Sequence, residues 1–370
     1  MAAVALCACG PEGGERVVDI SNAVPGDLEE VATSWELVAV DEREVPLAEV
    51  SDVKRYGDRI FVKSGVDFSL SSHPKIYMVE GGRVAGVLDA YGRGPGEYQS
   101  LESFAYCPQT AELIINDRRL KGFRRYRVPE LTWVSDEPAG RYFQTFETLD
   151  ATHSVISLEP DGDEPGGPAI WNHAEGKVDY FEEVESRLLA ESFGALRMTR
   201  EPGGKVLVGV MGRETAIRRA SASGFEPAGG VSFKPDPFAP FWDETDEQKA
   251  YQAFVSVMES GREFGIGADA PLVSGNKLAF WYLATVEEGP EDGWRPAVWT
   301  PQGSRTWSEL RVEGYPEPLR IVGSGEGQWC SVLLLELLED VPAPKGKLYP
   351  KLRELAAQGC ETVLLFYSVI

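Results

Sequence analysis

The side chains that most often carry out chemistry are few and far apart in this sequence. Its three histidines are His73, His153 and His173, and no two of them have the His-Glu-x-x-His spacing of a zinc enzyme. A Gly-x-Ser-x-Gly turn, which would expose a nucleophilic serine, is also absent from the sequence. Local motifs therefore predict neither a zinc centre nor a serine hydrolase, and each histidine is interpreted as a surface or hairpin-end residue.

The sequence leaves a second possibility open, which is a calcium site in a central channel between sheets. Such a site would use Asn, Asp and Glu side chains. Asn116, Asp117 and Asn276 are candidate channel ligands by their position beside β-rich runs alone. The acidic run 161–164 matches only a fragment of a calcium loop and is interpreted as a solvated loop. No cofactor is predicted, and calcium is the cofactor that the sequence leaves open.

A glycine-rich run follows the first clear hairpin and reads Gly92-Arg93-Gly94-Pro95-Gly96-Glu97-Tyr98. A phosphate-binding loop would need free backbone N–H groups, a Lys-Ser or Lys-Thr ending and a helix behind it. Pro95 has no N–H group and no lysine follows, so the run is interpreted as a tight connector between two β units. Two roles stay open for its end. Either Tyr98 packs between sheets while Glu97 bonds the turn, or Glu97 lines a channel mouth as a cation or sugar contact.

The composition is that of a globular protein with a strongly acidic surface. The chain has 370 residues, of which 43% are hydrophobic and 26% are charged, and its formal net charge is -23. A negative charge of this size repels nucleic acid and anionic lipid headgroups, and it could attract cations or basic partners. No run reaches the roughly 18 apolar residues of a membrane span. We therefore expect no nucleic-acid partner, and membrane attachment only through a lipid anchor.

A turn followed by a β-rich run recurs along the chain. Most occurrences are about 40–55 residues apart, which is the spacing expected of four-stranded propeller blades. Stacked blades bury aromatic side chains, so most of the 9 Trp and 16 Phe are assigned to the core rather than to a ligand. The six occurrences begin at Tyr56, Pro108, Asp150, Pro202, Ser274 and Gly325.

The two ends of the chain complete the predicted ring. The last unit is one strand short, and the run Trp35–Val40 has no hairpin partner, so pairing it with the last blade would close the ring and remove the two open sheet edges. Two stretches break the repeat: 243–261, whose apolar residues fall at helical spacing, and 348–357. The run Pro235–Trp242 is expected to be a loop packed on one face. The predicted fold class is all-β, a six-bladed β-propeller closed by an N-terminal strand, with two short helical insertions.

Two segments resemble a known protein family. Gly94-Pro95-Gly96-Glu97-Tyr98 after a hairpin, and the helix and final strand within 349–367, are similar to the NHL-like six-bladed β-propeller lipoproteins of Gram-negative bacteria. The resemblance spans most of residues 35–370, is specific at those two places and is diffuse between them. It implies a propeller fold far more firmly than any function, because the family is largely uncharacterised.

The N-terminal residues resemble part of a bacterial lipoprotein signal. Leu6-Cys7-Ala8-Cys9 is similar to a lipobox with Cys9 as the lipidated residue, but the apolar stretch is too short for a whole signal peptide. We expect residues 1–14 to be a truncated signal remnant and tether, and residues 15–370 to form the propeller. The alternative is a frayed cytosolic terminus. With Cys9 lipidated, the protein is predicted to lie in the cell envelope, as a periplasmic or outer-membrane lipoprotein.

Three further cysteines, Cys107, Cys330 and Cys360, fit no metal-binding spacing. Cys330 and Cys360 flank strands of the same C-terminal unit, so a disulfide could form between them in an exported protein. The alternative is a pair of buried free thiols.

These observations favour a non-catalytic function. We expect an exported or membrane-anchored binding or scaffold module of the cell envelope, a monomer whose protein or glycan partner binds one face of the ring. The alternative is a calcium- or zinc-dependent hydrolase or lyase with its site in the central channel. Such an enzyme would bring three or more Asp, Glu, Asn or His side chains to one end of the channel.

Overall fold

The computed structural model describes residues 16–40, 50–65, 73–161, 166–182, 197–244, 246–260, 264–284 and 293–370. Over these residues the chain is all-β, with 26 strands in five sheets and only short helices. The expectations for Cys9 and for residues 1–14 lie outside this described part. No helix within it is long and apolar enough to cross a membrane.

The N-terminal segment contributes separate short strands rather than a sheet of its own. Its elements are β1 (Val17–Asp19), β2 (Val24–Asp27), helix α1 (Leu28–Val31) and β3 (Ser34–Val40). Helix α1 begins after Asp27, whose side chain accepts a hydrogen bond from the backbone N–H of Glu29. Each of the three strands pairs with a strand that comes much later in the sequence.

Three antiparallel meanders follow along the chain. The first meander contains β4 (Val50–Tyr56), β5 (Arg59–Ser64), β6 (Lys75–Glu80) and β7 (Arg83–Leu88). The second contains β8 (Leu101–Cys107), β9 (Glu112–Asp117), β10 (Gly122–Arg127) and β11 (Thr132–Pro138). The third contains β12 (Phe143–Thr148), β13 (His153–Leu158), β14 (Gly167–Asn172) and β15 (Lys177–Phe181). Gly81 and Gly82, with φ of 57° and 76°, form the two-residue turn between β6 and β7.

The second half of the chain repeats the meander and adds the longer helices. The fourth sheet is built on β16 (Thr199–Arg200), β17 (Val206–Val210), β18 (Thr215–Ser221) and β19 (Gly224–Lys234). Helices α2 (Ala239–Trp242) and α3 (Glu247–Glu259) separate it from β20 (Ile266–Ser274), β21 (Lys277–Leu283), β22 (Trp294–Thr300) and β23 (Gly303–Arg311). The chain ends with β24 (Gly323–Gly325), β25 (Gln328–Leu334), a 3-10 turn (Leu335–Leu337), α4 (Leu348–Ala357) and β26 (Thr362–Ser368).

The N-terminal strands lie along the outer edges of the later sheets. Strand β1 runs parallel to β19, with Val17 opposite Ser232, and β2 runs parallel to β23. Strand β3 pairs antiparallel with β26 over its whole length, and β26 belongs to the last unit, with which the sequence suggested that residues 35–40 pair. A two-residue parallel pairing between β24 and β4 joins β3, β26, β25 and β24 to the first meander, so these eight strands form one sheet.

Two of the described helices lie at the two predicted insertions, and the short helices α1 and α2 were not predicted. Helix α3 begins after Asp246, whose side chain accepts a hydrogen bond from the backbone N–H of Lys249, and α4 precedes β26. The run 235–242 is not simply a loop, because its last four residues form α2. Phe238, at the start of α2, is buried and packs 5.8 Å from the Phe254 ring of α3, which explains the local turn of helix.

Apolar clusters fill the spaces between neighbouring sheets. Trp329 lies 5.7 Å from Trp281 and 5.8 Å from Tyr367, so it joins β25 to β21 and β26. A second cluster around Phe61, Phe104 and Tyr98 joins the first and second meanders. The Trp329–Trp281 contact and the second cluster each join residues of different sheets, so burial of aromatic rings holds neighbouring sheets together.

The cysteines do not form the disulfide that the sequence left open. Cys107, Cys330 and Cys360 are free thiols. Cys330 is fully buried in β25, and burial raises the pKa of its thiol well above the usual value. The Sγ atom of Cys360 instead lies 3.2 Å from the carbonyl oxygen of Thr362. The structure therefore corresponds to the free-thiol alternative.

Candidate functional site

The strongest concentration of buried charge lies where the first strands of several sheets approach one another. We call it the inner-strand cluster and define it by Lys54 and Tyr56 of β4, Glu147 and Thr148 of β12, and Arg200 of β16. All five residues are less than a tenth exposed. Three separate sheets thus contribute to one polar cluster that is closed off from solvent.

Glu147 is the centre of the inner-strand cluster. Its carboxylate accepts a hydrogen bond from the Tyr56 hydroxyl at 2.8 Å and one from the Lys54 ammonium group at 3.3 Å. Nη1 of Arg200 lies 3.6 Å from the same carboxylate and donates to the backbone carbonyl of Thr148. Lys54 also donates to the carbonyl oxygen of Phe146 at 2.9 Å. Two cations therefore share one carboxylate, and each of them also donates to a backbone carbonyl.

The environment of the inner-strand cluster raises the pKa values of Tyr56 and Asp52. Burial, together with the negative charge of Glu147, raises the pKa of Tyr56 well above its usual value, so the hydroxyl stays a hydrogen-bond donor. Burial also raises the pKa of Asp52 on β4, against the opposing effect of Lys54, Arg197 and Lys63. The cluster can thus hold a fixed pattern of charge between three sheets, which is the arrangement of a structural anchor.

A second ion pair connects the fourth sheet with β20. Nη1 of Arg197, just before β16, lies 2.7 Å from Oδ2 of Asp269, which is 1% exposed. The backbone N–H of Ala270 donates to the carbonyl oxygen of Arg197, and Ala270 has a φ of 46°. The left-handed backbone at Ala270 and the register shifts on either side of Asp269 show that β20 is bent locally to make this connection.

A serine, a histidine and a glutamate form a hydrogen-bonded chain between the second and third meanders. Oγ of Ser154 lies 2.7 Å from Nε2 of His173, and Nδ1 of His173 lies 2.8 Å from Oε1 of Glu137. Burial lowers the pKa of His173 despite the neighbouring carboxylate, so its ring is neutral at pH 7. This is the order of contacts in a serine hydrolase triad. Ser154 is 0% exposed, however, and a substrate carbonyl cannot reach a fully buried hydroxyl.

Glu137 has further donors that account for this chain in structural terms. Trp171 donates to it through Nε1 at 2.7 Å, and Arg125 donates at 3.0 Å. Burial works to raise the pKa of Glu137, but the hydrogen bonds from His173, Trp171 and Arg125 outweigh it and the pKa is lowered. We therefore interpret the Ser154–His173–Glu137 chain as a polar connection between two sheets.

The glycine-rich run lies between the first and second meanders. The Glu97 carboxylate accepts the backbone N–H of Gly94 at 2.7 Å, so it bonds within the turn. Tyr98 is 0% exposed and donates its hydroxyl to the carbonyl oxygen of Pro74 at 2.5 Å. The carbonyl oxygen of Gly96 accepts the Tyr126 hydroxyl at 3.0 Å. These contacts make the run a connector that fastens two sheets.

The three candidate channel ligands do not come together. Asn116 is buried and donates to the carbonyl oxygen of Phe143 at 2.6 Å. Asp117 is buried beside it, and its carboxylate accepts Nε of Arg124 at 2.9 Å. Asn276 is exposed in the turn between β20 and β21, in a different sheet. Among the described residues no group of three or more His, Cys, Asp and Glu side chains is placed to hold a metal ion.

Sequence reasoning did not single out Lys54, Glu147 or Arg200, the charged residues of the inner-strand cluster. A signal for them exists, because each is a charged residue inside or at the end of a β-rich run, where a solvated side chain is not expected. Such a residue in the first strand of a repeat unit indicates a buried pairing partner in another unit. The sequence does not say which unit supplies that partner.

Comparison with known proteins identifies the fold. No family model matches the chain, and no curated protein sequence matches it significantly. A Bacteroides fragilis protein named as an exported protein aligns with a TM-score of 0.62 at 12% identity, over 96% of this chain and 99% of its own. A DUF4221 family member from Bacteroides vulgatus aligns with a TM-score of 0.46 at 10% identity, over 91% and 96%. This all-β chain is thus similar in fold, along nearly its whole length, to a bacterial protein named as exported.

Proposed function

We propose that this protein is an exported six-bladed β-propeller that binds a partner of the cell envelope without catalysing a reaction. The pairing topology supports six blades, because the short β24–β4 contact divides the eight-stranded sheet into two groups of four. The antiparallel pairing of β3 with β26 supports closure of the ring by an N-terminal strand. The similarity in fold to a protein named as exported supports the location.

The state of Glu147 is the observation that carries the non-catalytic function. A propeller enzyme uses carboxylates at its centre to hold a metal or to move protons, so those groups have to face the ligand. Here the carboxylate of Glu147 is 3% exposed and is bonded by Tyr56 and Lys54. A group whose hydrogen bonds are already taken by protein donors supports packing of the sheets rather than turnover of a substrate.

The attachment and the partner are further parts of this proposal. Lipidation of Cys9 would hold the protein at a membrane while residues 15–370 form the binding module, in the manner of the NHL-like lipoproteins that the sequence resembles. The protein would be a monomer that presents one face to a protein or glycan partner. Its net charge of -23 favours a partner segment with basic groups.

Metal analysis of the purified protein tests the proposed function against the calcium- or zinc-dependent alternative. We expect less than stoichiometric metal by elemental analysis, and melting temperatures that differ by less than about one degree between calcium, zinc and EDTA. A stoichiometric metal whose removal lowers the melting temperature would overturn the non-catalytic function. Labelling with a radioactive fatty acid, lost on Cys9→Ala substitution, is the matching test of the lipid anchor.

A further inference from the structure

The outer edges of the sheets fall into two kinds. Three outer strands, β19, β23 and β26, are covered by β1, β2 and β3. Among the described strands, β7, β11 and β15 are each paired on one side only. An open sheet edge presents unpaired N–H and C=O groups and is a template for another strand. The molecule itself shows that such edges accept short extended segments, because β1 and β2 add to them in parallel.

The open edges also carry most of the exposed large apolar side chains. Of seven such side chains in the described part of the chain, four lie on these three strands: Val87, Trp133, Val134 and Tyr180. Proteins usually protect open edges with charged side chains or proline. Apolar side chains in these places therefore need a reason, and binding of a partner is one.

Strand β11 is the longest of the three open edge strands. It has seven residues, and its Trp133 and Val134 are 47% and 38% exposed. The Trp133 ring is held in place because its Nε1 donates to Asp136 at 3.0 Å, and Asp136 in turn accepts from Arg124 at 2.8 Å. A Cβ atom at Gly96 would come within 2.7 Å of the Trp133 Cβ, so the glycine-rich run lies directly against this residue. A rigid exposed aromatic ring loses little entropy when it binds.

We propose that the open edge of β11 binds an extended peptide segment of a partner protein, which adds to the sheet as a fifth strand. This deepens the proposed binding function and rests on it. Main-chain hydrogen bonds would supply affinity, and an apolar side chain of the peptide would pack on Trp133. The peptide carries lysine or arginine at alternate positions, because the exposed Glu130 lies just before β11 and the whole chain has a charge of -23.

Fluorescence anisotropy with a synthetic peptide tests this edge. The probe is a labelled heptapeptide in which lysine and valine alternate, and the control replaces lysine with glutamate. We expect the lysine peptide to bind, Trp133→Ala to weaken it about tenfold or more, and N-methylation of alternate peptide nitrogens to abolish binding. Tyr251→Ala, on an equally exposed aromatic of α3 away from any sheet edge, is the matched control and leaves binding unchanged.

Several outcomes would overturn the edge site. These are no binding of the lysine peptide, equal binding by Trp133→Ala, and binding that survives N-methylation. A concentration-dependent dimer that Trp133→Ala disrupts would place a second copy on the edge instead. If both the unmodified protein and Trp133→Ala capture the same envelope proteins, the binding function stands and the edge site fails. If the protein holds a stoichiometric metal yet binds the peptide at Trp133, the edge site stands and the non-catalytic function fails.

Discussion

The covered half of the molecule, β16–β26 with β1–β3, and the open half, β4–β15, use the same antiparallel meander but complete it differently. In the covered half, strands from far earlier in the chain supply buried apolar side chains, including Val18 at 0% and Val40 at 1% exposure. In the open half, ion pairs such as Arg124–Asp136 and Arg125–Glu137 tie the outer strands instead. The outer strand of a repeat unit can therefore be stabilised either by burial of apolar side chains or by ion pairs that leave its edge open.

Removal of β3 is expected to have the largest effect on this comparison. Deletion of residues 34–40 exposes the edge of β26 and removes Val40 from its cluster with Leu364 and Phe366. The loss is comparable to the whole stability of a domain, about 5–15 kcal/mol, so cooperative thermal unfolding by circular dichroism should vanish. A cooperative transition at an unchanged melting temperature would show that β3 is dispensable and that the covered half does not depend on its N-terminal strands.

Neutralising Glu147 is expected to have the second-largest effect on stability, because the Glu147 carboxylate connects the two halves. Glu147→Gln leaves Lys54 of β4 and Arg200 of β16 buried without a carboxylate, at a cost of about 3–5 kcal/mol in the free energy of unfolding. Glu226→Gln is the matched control, since the Lys205–Glu226 pair is half exposed and contributes about 0–1 kcal/mol. Urea denaturation measures both variants. Equal effects would mean that the inner-strand cluster does not anchor the sheets.

A pair of valine substitutions compares the edges directly. Val18 of β1 is buried against the fourth sheet, so Val18→Ala is expected to lower the free energy of unfolding by about 2 kcal/mol. Val87 of the open strand β7 is 40% exposed, and Val87→Ala should stay within about 0.5 kcal/mol of the unsubstituted protein. Chemical denaturation gives both values. A larger loss at Val87 would argue that its edge is covered in solution.

The smallest expected effect concerns pH and the polar connection of the open half. Burial depresses the pKa of His173 in the folded state, so the unfolded chain binds more protons as the pH falls below about 6.5. Stability contributed by neutral His173 is therefore present above that pH and is lost as the pH falls below it. His173→Gln should flatten this part of the stability curve, measured by urea denaturation at each pH. If the pH dependence is unchanged in this variant, the loss of stability at low pH comes from other groups.

The periodic and local features of this fold could be predicted from the sequence. The turns before Ile60 and Leu113, the helix after Asp246 and the lone N-terminal strand over 35–40 all follow from spacing and side-chain type. The candidate ligands Asn116, Asp117 and Asn276 show the limit of this reasoning. Position beside a strand did not reveal that two of them are buried within one sheet and the third is exposed on another.

The all-β class, the repeated units and the strong negative charge can be read directly from the amino-acid sequence, because they depend on side-chain alternation, turn residues and net charge. The meeting of Lys54, Glu147 and Arg200, and the covering of β19 and β23 by β1 and β2, follow only from the three-dimensional arrangement of the strands. The physical reason is that strand pairing and buried ion pairs join residues far apart in the chain. A strand has the same pattern whichever neighbour it pairs with, so the choice of neighbour is made by packing of the whole molecule.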